Sequence, residues 1–151
     1  MKYKNLGNTG INISEIGFGA WGLGGDSYGS VDKNISRKTL KFAFEQGINF
    51  FDTADSYGDG QSELIIGEAL KPVREKVVFA TKVGSLPHTG RVMPQDFSLT
   101  RIRQCLENSL KRLQTDYIDL YQLHSPPIEI LSNLEILETC NKFKKEGKIR
   151  A

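Results

Sequence analysis

The sequence predicts an α/β protein built on parallel strands, and three observations carry that prediction. Five extended runs alternate with amphipathic helical patterns along the 151 residues. Each strand-plus-helix pair occupies roughly 30 to 40 residues, the size of one βα unit. The strands also end in ionisable side chains, where a nucleotide-binding first turn would end in a short glycine loop and a helix. Strands alternating with helices in this way are joined as parallel neighbours by right-handed crossovers.

The first extended run is "SEIGFGAW", and loop chemistry follows it in "LGGDSYGSVD". A helix is expected near 37–46, stopping at Gly47. The second run, "INFFDTA", leads through "DSYGDG" to a helix near 63–70 that stops before Pro72. The third run is "KVVFATKVG". After it, Ile102, Leu106, Leu110 and Leu113 recur at intervals of three or four, which predicts a helix over 99–113 with Ser98 as its N-cap. The fourth run is "YIDLYQLHS". The helix from about 133 is expected to open on a capping box, with Ser132 as N-cap and Glu135 three residues on, and to close at Gly147. "KIRA" begins a fifth strand.

Composition narrows the function classes. At 38% hydrophobic and 25% charged residues, the chain has the make-up of one globular domain, 1–151. Twenty basic residues against eighteen acidic ones leave a formal +2, too balanced for a nucleic-acid face or a membrane-seeking surface. No run approaches the roughly 20 apolar residues of a spanning helix, and the start lacks the apolar core of a signal peptide. The expected location is the cytoplasm. Cys105 and Cys140 sit in helical patterns without CxxC spacing, and only two histidines accompany them, so neither a disulfide framework nor a metal site is signalled.

One motif points elsewhere. "GFGAWG" contains Gly17, Gly19 and Gly22 at the spacing of a dinucleotide fingerprint. That fingerprint works when a helix begins at the turn, so that free N–H groups meet a pyrophosphate. Here no helix is expected before about Asp32, and the reading is rejected. Gly19 instead allows close backbone approach at the strand's end, and Trp21 becomes a candidate wall.

The strand ends carry the chemistry. Side chains alternate along a strand, so parity identifies those that share a face. Ile48, Phe50 and Asp52 agree; Val78, Ala80 and Lys82 agree; Ile118, Leu120, Gln122 and His124 agree. Singly, each ionisable end has an ordinary explanation: Asp52 as a cap, Lys82 as a solvated strand end, His124 as a satisfied core histidine. Jointly, three strands finish the same face with acid, base and imidazole, and a parallel barrel gathers such ends around one mouth. Tyr57, five residues after Asp52 in a glycine-bearing turn, can curl over that mouth. A phenol serves as an acid–base group near neutrality when a cation favours its ionised form, and Lys82 is the available cation. Such a set suits proton donation to a carbonyl oxygen, with hydride supplied by a nicotinamide.

These residues resemble the aldo-keto reductase family. The matching text is "LGNTGINISEIGFGAWGLGG", "FFDTADSYGDGQSELIIGEAL", "VVFATKVG", "YIDLYQLHSP" and "KKEGKIRA", which together cover essentially the whole chain. The resemblance implies a (β/α)8 TIM barrel, of which this chain would form an N-terminal hairpin, about four βα units and the start of strand 5. It implies an NADP(H)-dependent oxidoreductase acting on small aldehydes, ketones or alcohols. Its catalytic tetrad would fall on Asp52, Tyr57, Lys82 and His124. Tyr57 would be the proton donor, Lys82 would tune it, Asp52 would hold Lys82, and His124 would orient the carbonyl. Gly19, Ala20, Trp21 and Asp52 would lie on the cofactor side of the mouth. "KYKNLGNTGINIS" looks like the hairpin that closes the base of such a barrel.

A complete barrel takes about 250 residues, so the domain is expected to be an incomplete, truncated one with weak or no activity of its own. Its open edges make self-association an expectation. Two other readings accompany the enzyme: a non-catalytic NADPH-binding regulatory subunit, which His124 disfavours, and a half-barrel interaction module. The loops "WGLGGDSYGS" and "GSLPHTGRVMPQD", with His88, Arg91 and Met93, would line the substrate pocket.

Overall fold

The computed structural model describes residues 1–26, 29–86 and 94–151. The expected pocket residues His88, Arg91 and Met93 lie outside them. A hairpin opens the chain, with β1 (Tyr3–Asn5) paired antiparallel to β2 (Asn12–Ser14). β3 (Phe18–Gly19), β4 (Phe50–Asp52), β5 (Val78–Val83) and β6 (Leu120–Leu123) then form a parallel sheet in the order β3-β4-β5-β6. Each strand's neighbour is the next one in sequence, as in a barrel wall; a doubly wound sheet would reverse its order at a switch point.

Residues 148–151 continue this wall. Ile118 N–H donates to Lys148 C=O at 2.9 Å, and Arg150 N–H to Ile118 C=O at 3.0 Å. The N–H of Tyr121 then reaches Ala151 C=O at 2.9 Å. "KIRA" is therefore a fifth parallel segment laid beside β6, as the sequence predicts.

The helices are α1 (Lys33–Glu45), α2 (Gln61–Leu70), α3 (Leu99–Leu113), α4 (Ile128–Leu131) and α5 (Leu134–Lys145). α3 matches its predicted bounds, and the Ser98 hydroxyl accepts from Arg101 N–H at 3.3 Å as its cap. α2 stops at Leu70, before Pro72 as predicted, and Pro72 fits among the first positions of a 3-10 turn over Lys71–Lys76, where a missing N–H leaves no bond unmade. Two expectations need correction. α1 begins at Lys33, because the Asp32 carboxylate accepts from the N–H groups of Asn34 and Ile35. The N-cap of α5 is Asn133, not Ser132, because Ser132 closes the short α4 and only Asn133 is placed to accept from Glu135 and Ile136 N–H.

One face of the sheet packs on the helices. Phe51, Phe79 and Tyr121 meet Leu40, Ile65, Ile66, Leu106, Leu113 and Ile136 in the main core. Burying each such apolar side chain contributes about 1.5–3 kcal/mol before entropy is counted. On the other face, the hairpin closes the base: Ile11 and Ile13 pack against Val78, with Phe50 and Ala151 beside them. Asn49 ties the hairpin down, accepting from Ser14 N–H at 2.6 Å and donating to Asn12 C=O at 3.0 Å. Ile118 departs from its expected face. It packs with the helix-side core, so the inward alternation on the fourth strand is established only from Leu120.

A buried ionic knot holds the lower end of β5 and β6. Asp119 is fully buried; it accepts from Arg74 at 2.8 Å, Arg150 at 2.6 Å and Phe79 N–H at 2.9 Å. The Arg74 guanidinium is sandwiched between the rings of Phe79 and Tyr117, at 4.3 and 4.0 Å from their centroids.

Candidate active site

Register sets the heights of the strand-end side chains. Gly19 stands level with Asp52, Asp52 with Ala80, and Lys82 with Gln122. Asp52 and Lys82 therefore occupy successive inward levels of adjacent strands, and the long lysine side chain spans the step. Lys82 Nζ donates to Asp52 Oδ1 at 2.5 Å, to Thr53 C=O at 2.7 Å and to Tyr57 Oη at 3.3 Å. Gln122 Nε2 donates to the other carboxylate oxygen of Asp52 at 3.2 Å.

Thr53 is fixed from behind. Its hydroxyl donates to Ser62 Oγ at 2.8 Å, and Ser62 donates to Ala20 C=O at 2.8 Å, all three residues being fully buried. This relay ties the end of β3, the end of β4 and the start of α2 together, so the Thr53 carbonyl is a fixed acceptor for the ammonium.

Tyr57 reaches the mouth because two glycines let its loop touch the 3-10 turn over Trp21–Gly24 that follows β3. A Cβ on Gly24 would stand 2.7 Å from Gly58 N and 2.9 Å from the Tyr57 carbonyl carbon, and Gly58 itself has φ +60°. Side chains lock the same approach. Gly58 N–H donates to Asp26 Oδ2 at 3.1 Å, and Gln61 Nε2 donates to Gly24 C=O at 2.9 Å. The Tyr57 ring then lies between Trp21, at 6.4 Å and 40°, and His124, edge-on at 5.7 Å and 84°. Asp52, Tyr57, Lys82 and His124 thus converge on one rim.

The residues expected on the cofactor side divide. Gly19 is exposed and open, since a Cβ there would meet nothing within 4 Å. Trp21 is 48% exposed beside Tyr57. The Ala20 side chain is fully buried in the helix-side core, so what β3 offers the mouth is Gly19 and Trp21.

Two residues near the site were given no role from sequence. Gln122 shares the inward parity of the fourth strand, and that parity was the available signal. Asp55 lies two residues before Tyr57, buried at 6% exposure against α3. Among the described residues no donor hydrogen-bonds to its carboxylate; the Cys105 thiol lies beside it, and Arg101 stands 3.9 Å away. Burial raises the Asp55 pKa to about 6. Burial and the neighbouring Asp55 carboxylate push the Cys105 thiol up to about 12, so it stays protonated and unreactive. Beneath it, Glu63 is fully buried between the Thr81 hydroxyl at 2.5 Å and Arg112 at 2.6 Å.

Among the described residues no group of three or more His, Cys, Asp or Glu side chains could hold a metal ion, and no helix is long and apolar enough to cross a membrane.

Comparison with known proteins identifies the family and the fold. The model of the aldo/keto reductase family matches residues 15–151. The chain belongs to the aldo/keto reductase family. It is 44% identical to the aldo-keto reductase YhdN of Bacillus subtilis over all of this chain and 46% of that protein. It is 39% identical to the NADH-specific methylglyoxal reductase of Escherichia coli, again over all of this chain and 51% of that one. In structure it matches the holo form of aldo-keto reductase AKR11C1 from Bacillus halodurans with a TM-score of 0.86 at 39% identity, covering 99% of this chain and 48% of that one. The chain spans about half the length of the curated relatives it matches, and its strands form part of the (β/α)8 wall of this family's fold.

Proposed function

We propose that the chain supplies the proton-donating side of an NADP(H)-dependent oxidoreductase that interconverts small aldehydes or ketones with alcohols. The observation that carries this reading is the placement of Lys82. An ammonium has three protons, and Lys82 has three acceptors: Asp52, Thr53 and Tyr57. The phenol oxygen therefore accepts from Lys82, and its own proton is left for an acceptor above the mouth.

A carbonyl oxygen brought to Tyr57 takes that proton, and the phenolate left behind faces the ammonium. Asp52 and the Thr53 carbonyl keep the ammonium in place, while Gln122 holds Asp52. His124, edge-on to the phenol, donates toward the same carbonyl oxygen and orients it. When bound, the nicotinamide supplies the hydride to the carbonyl carbon. The open space at Gly19 and the exposed Trp21 beside Tyr57 fit a planar ring placed next to the phenol. No metal enters this scheme, because an ammonium and a phenol do the work of a Lewis acid.

The test is oxidation of NADPH, and separately of NADH, by a polypeptide carrying this chain within a barrel of its relatives' length, with small aldehydes as substrates. Aldehyde-dependent oxidation that favours NADPH supports the reading. Preference for NADH would correct the cofactor, and no oxidation with either would remove the function. The 151 residues alone are expected to turn over weakly or not at all.

A further inference from the structure

The geometry points to Gln95 as the positioning residue for His124, a role that rests on the site reading above and deepens it. Gln95 lies on the segment between β5 and α3, 29 residues before His124 in sequence. Beyond Val83 the chain folds back on itself: Ser85 and Gln95 form an antiparallel bridge, Leu86 N–H donates to Pro94 C=O at 2.8 Å, and Asp96 N–H donates to Gly84 C=O at 2.8 Å. This short stem rises from the end of β5 and fixes the Gln95 backbone beside the end of β6.

The Gln95 amide uses that position. Its Nε2 donates to His124 C=O at 3.0 Å and to Ser125 C=O at 2.9 Å. A single side-chain amide can serve two consecutive carbonyls only if both turn to one side. Ser125 makes that possible by adopting φ +51°, a conformation that a non-glycine residue seldom takes without support. From the other side, His124 N–H donates to Val83 C=O at 2.8 Å. The backbone of His124 is thus held between β5 at its N–H and Gln95 at its C=O, which sets the direction of the imidazole against the Tyr57 ring. Gln95 touches neither the phenol nor the ammonium; it acts through the strand end.

NMR of the 151-residue chain tests this without any turnover, so a failure of the proposed chemistry would not be mistaken for a failure here. In the wild type, the Gln95 side-chain amide protons should show through-bond coupling to the His124 and Ser125 carbonyl carbons. In Gln95→Ala and Gln95→Glu at pH 7, the His124 ring protons should move toward the shifts of an unstructured histidine peptide, as the edge-on contact with Tyr57 loosens. Gln95→Glu should return toward the wild type at matched pH below about 4.3, where the protonated carboxyl regains one donor; loss of mere packing would show no such return. The inference is overturned if the wild-type couplings are absent, or if both variants keep the wild-type His124 and Tyr57 resonances at pH 7.

Discussion

Asp52 and Lys82 meet at 2.5 Å across two strands, and the carboxylate's second oxygen takes the Gln122 amide at 3.2 Å. The carboxylate is therefore held on both sides, and the ammonium that it orients has one remaining proton for Tyr57. Lys82→Met should remove the charge that faces the departing proton while keeping the apolar stem packed. The expected result is a fall in kcat of about 10²-fold or more with little change in KM, the signature of an interaction made mainly in the transition state. Steady-state kinetics on the barrel-length polypeptide checks it.

Gln122→Leu should have a smaller effect of the same kind. It keeps the strand's packing but leaves one oxygen of Asp52 without its donor. Loss of a single hydrogen bond to a charged group is worth about 1.5–3 kcal/mol, and Asp52 is partly solvated, so a fall in kcat of about tenfold is expected. An unchanged kcat would show that Lys82 alone suffices to orient the carboxylate.

Asp55 should make stability depend on pH. Its folded pKa of about 6 lies above the ordinary carboxyl value of 3.8. The folded state therefore prefers the protonated form, so the favourable contribution is complete below about 4 and is lost as pH rises through 6. The gap of roughly two pKa units is worth about 3 kcal/mol. Asp55→Asn, which cannot ionise, should gain that much on the wild type between pH 4 and pH 7. Denaturant unfolding of both proteins across this range measures the difference, in which the other carboxylates cancel.

Arg74→Ala should damage the fold and not the chemistry. It strips a fully buried carboxylate, Asp119, of one of its two guanidinium partners and removes the cation stacked between Phe79 and Tyr117. Breaking a buried pair from one side costs about 3–5 kcal/mol. The midpoint of urea unfolding reports it.

Much of this arrangement could be read from the sequence, and the misses have physical causes. The period of Ile102, Leu106, Leu110 and Leu113 marked α3 because one face of that helix is buried along its whole length. Strand parity placed Asp52, Lys82 and Gln122 on one face because each ladder there is regular. At Ile118 parity misled, since that residue lies before the β6 ladder begins and packs on the helix side. Ser132 and Asn133 are both good caps, and only the short helix that Ser132 caps at its C-terminus decides between them. Ala20 adjoins the site in sequence, yet its side chain turns into the core. Asp55 stood in plain view beside the strand end, but nothing local says that α3 will bury it. Gln95 was invisible for the same reason: its partners lie 29 and 30 residues away.

The most direct measurement is the turnover of Tyr57→Phe in the barrel-length polypeptide, compared with its affinity for NADPH and NADH. If the phenol gives the proton, kcat should fall by about 10²- to 10⁴-fold while cofactor affinity stays near the wild-type value, because only the hydroxyl has been removed. Turnover within a few-fold of the wild type would contradict the assignment of Tyr57 as the proton donor.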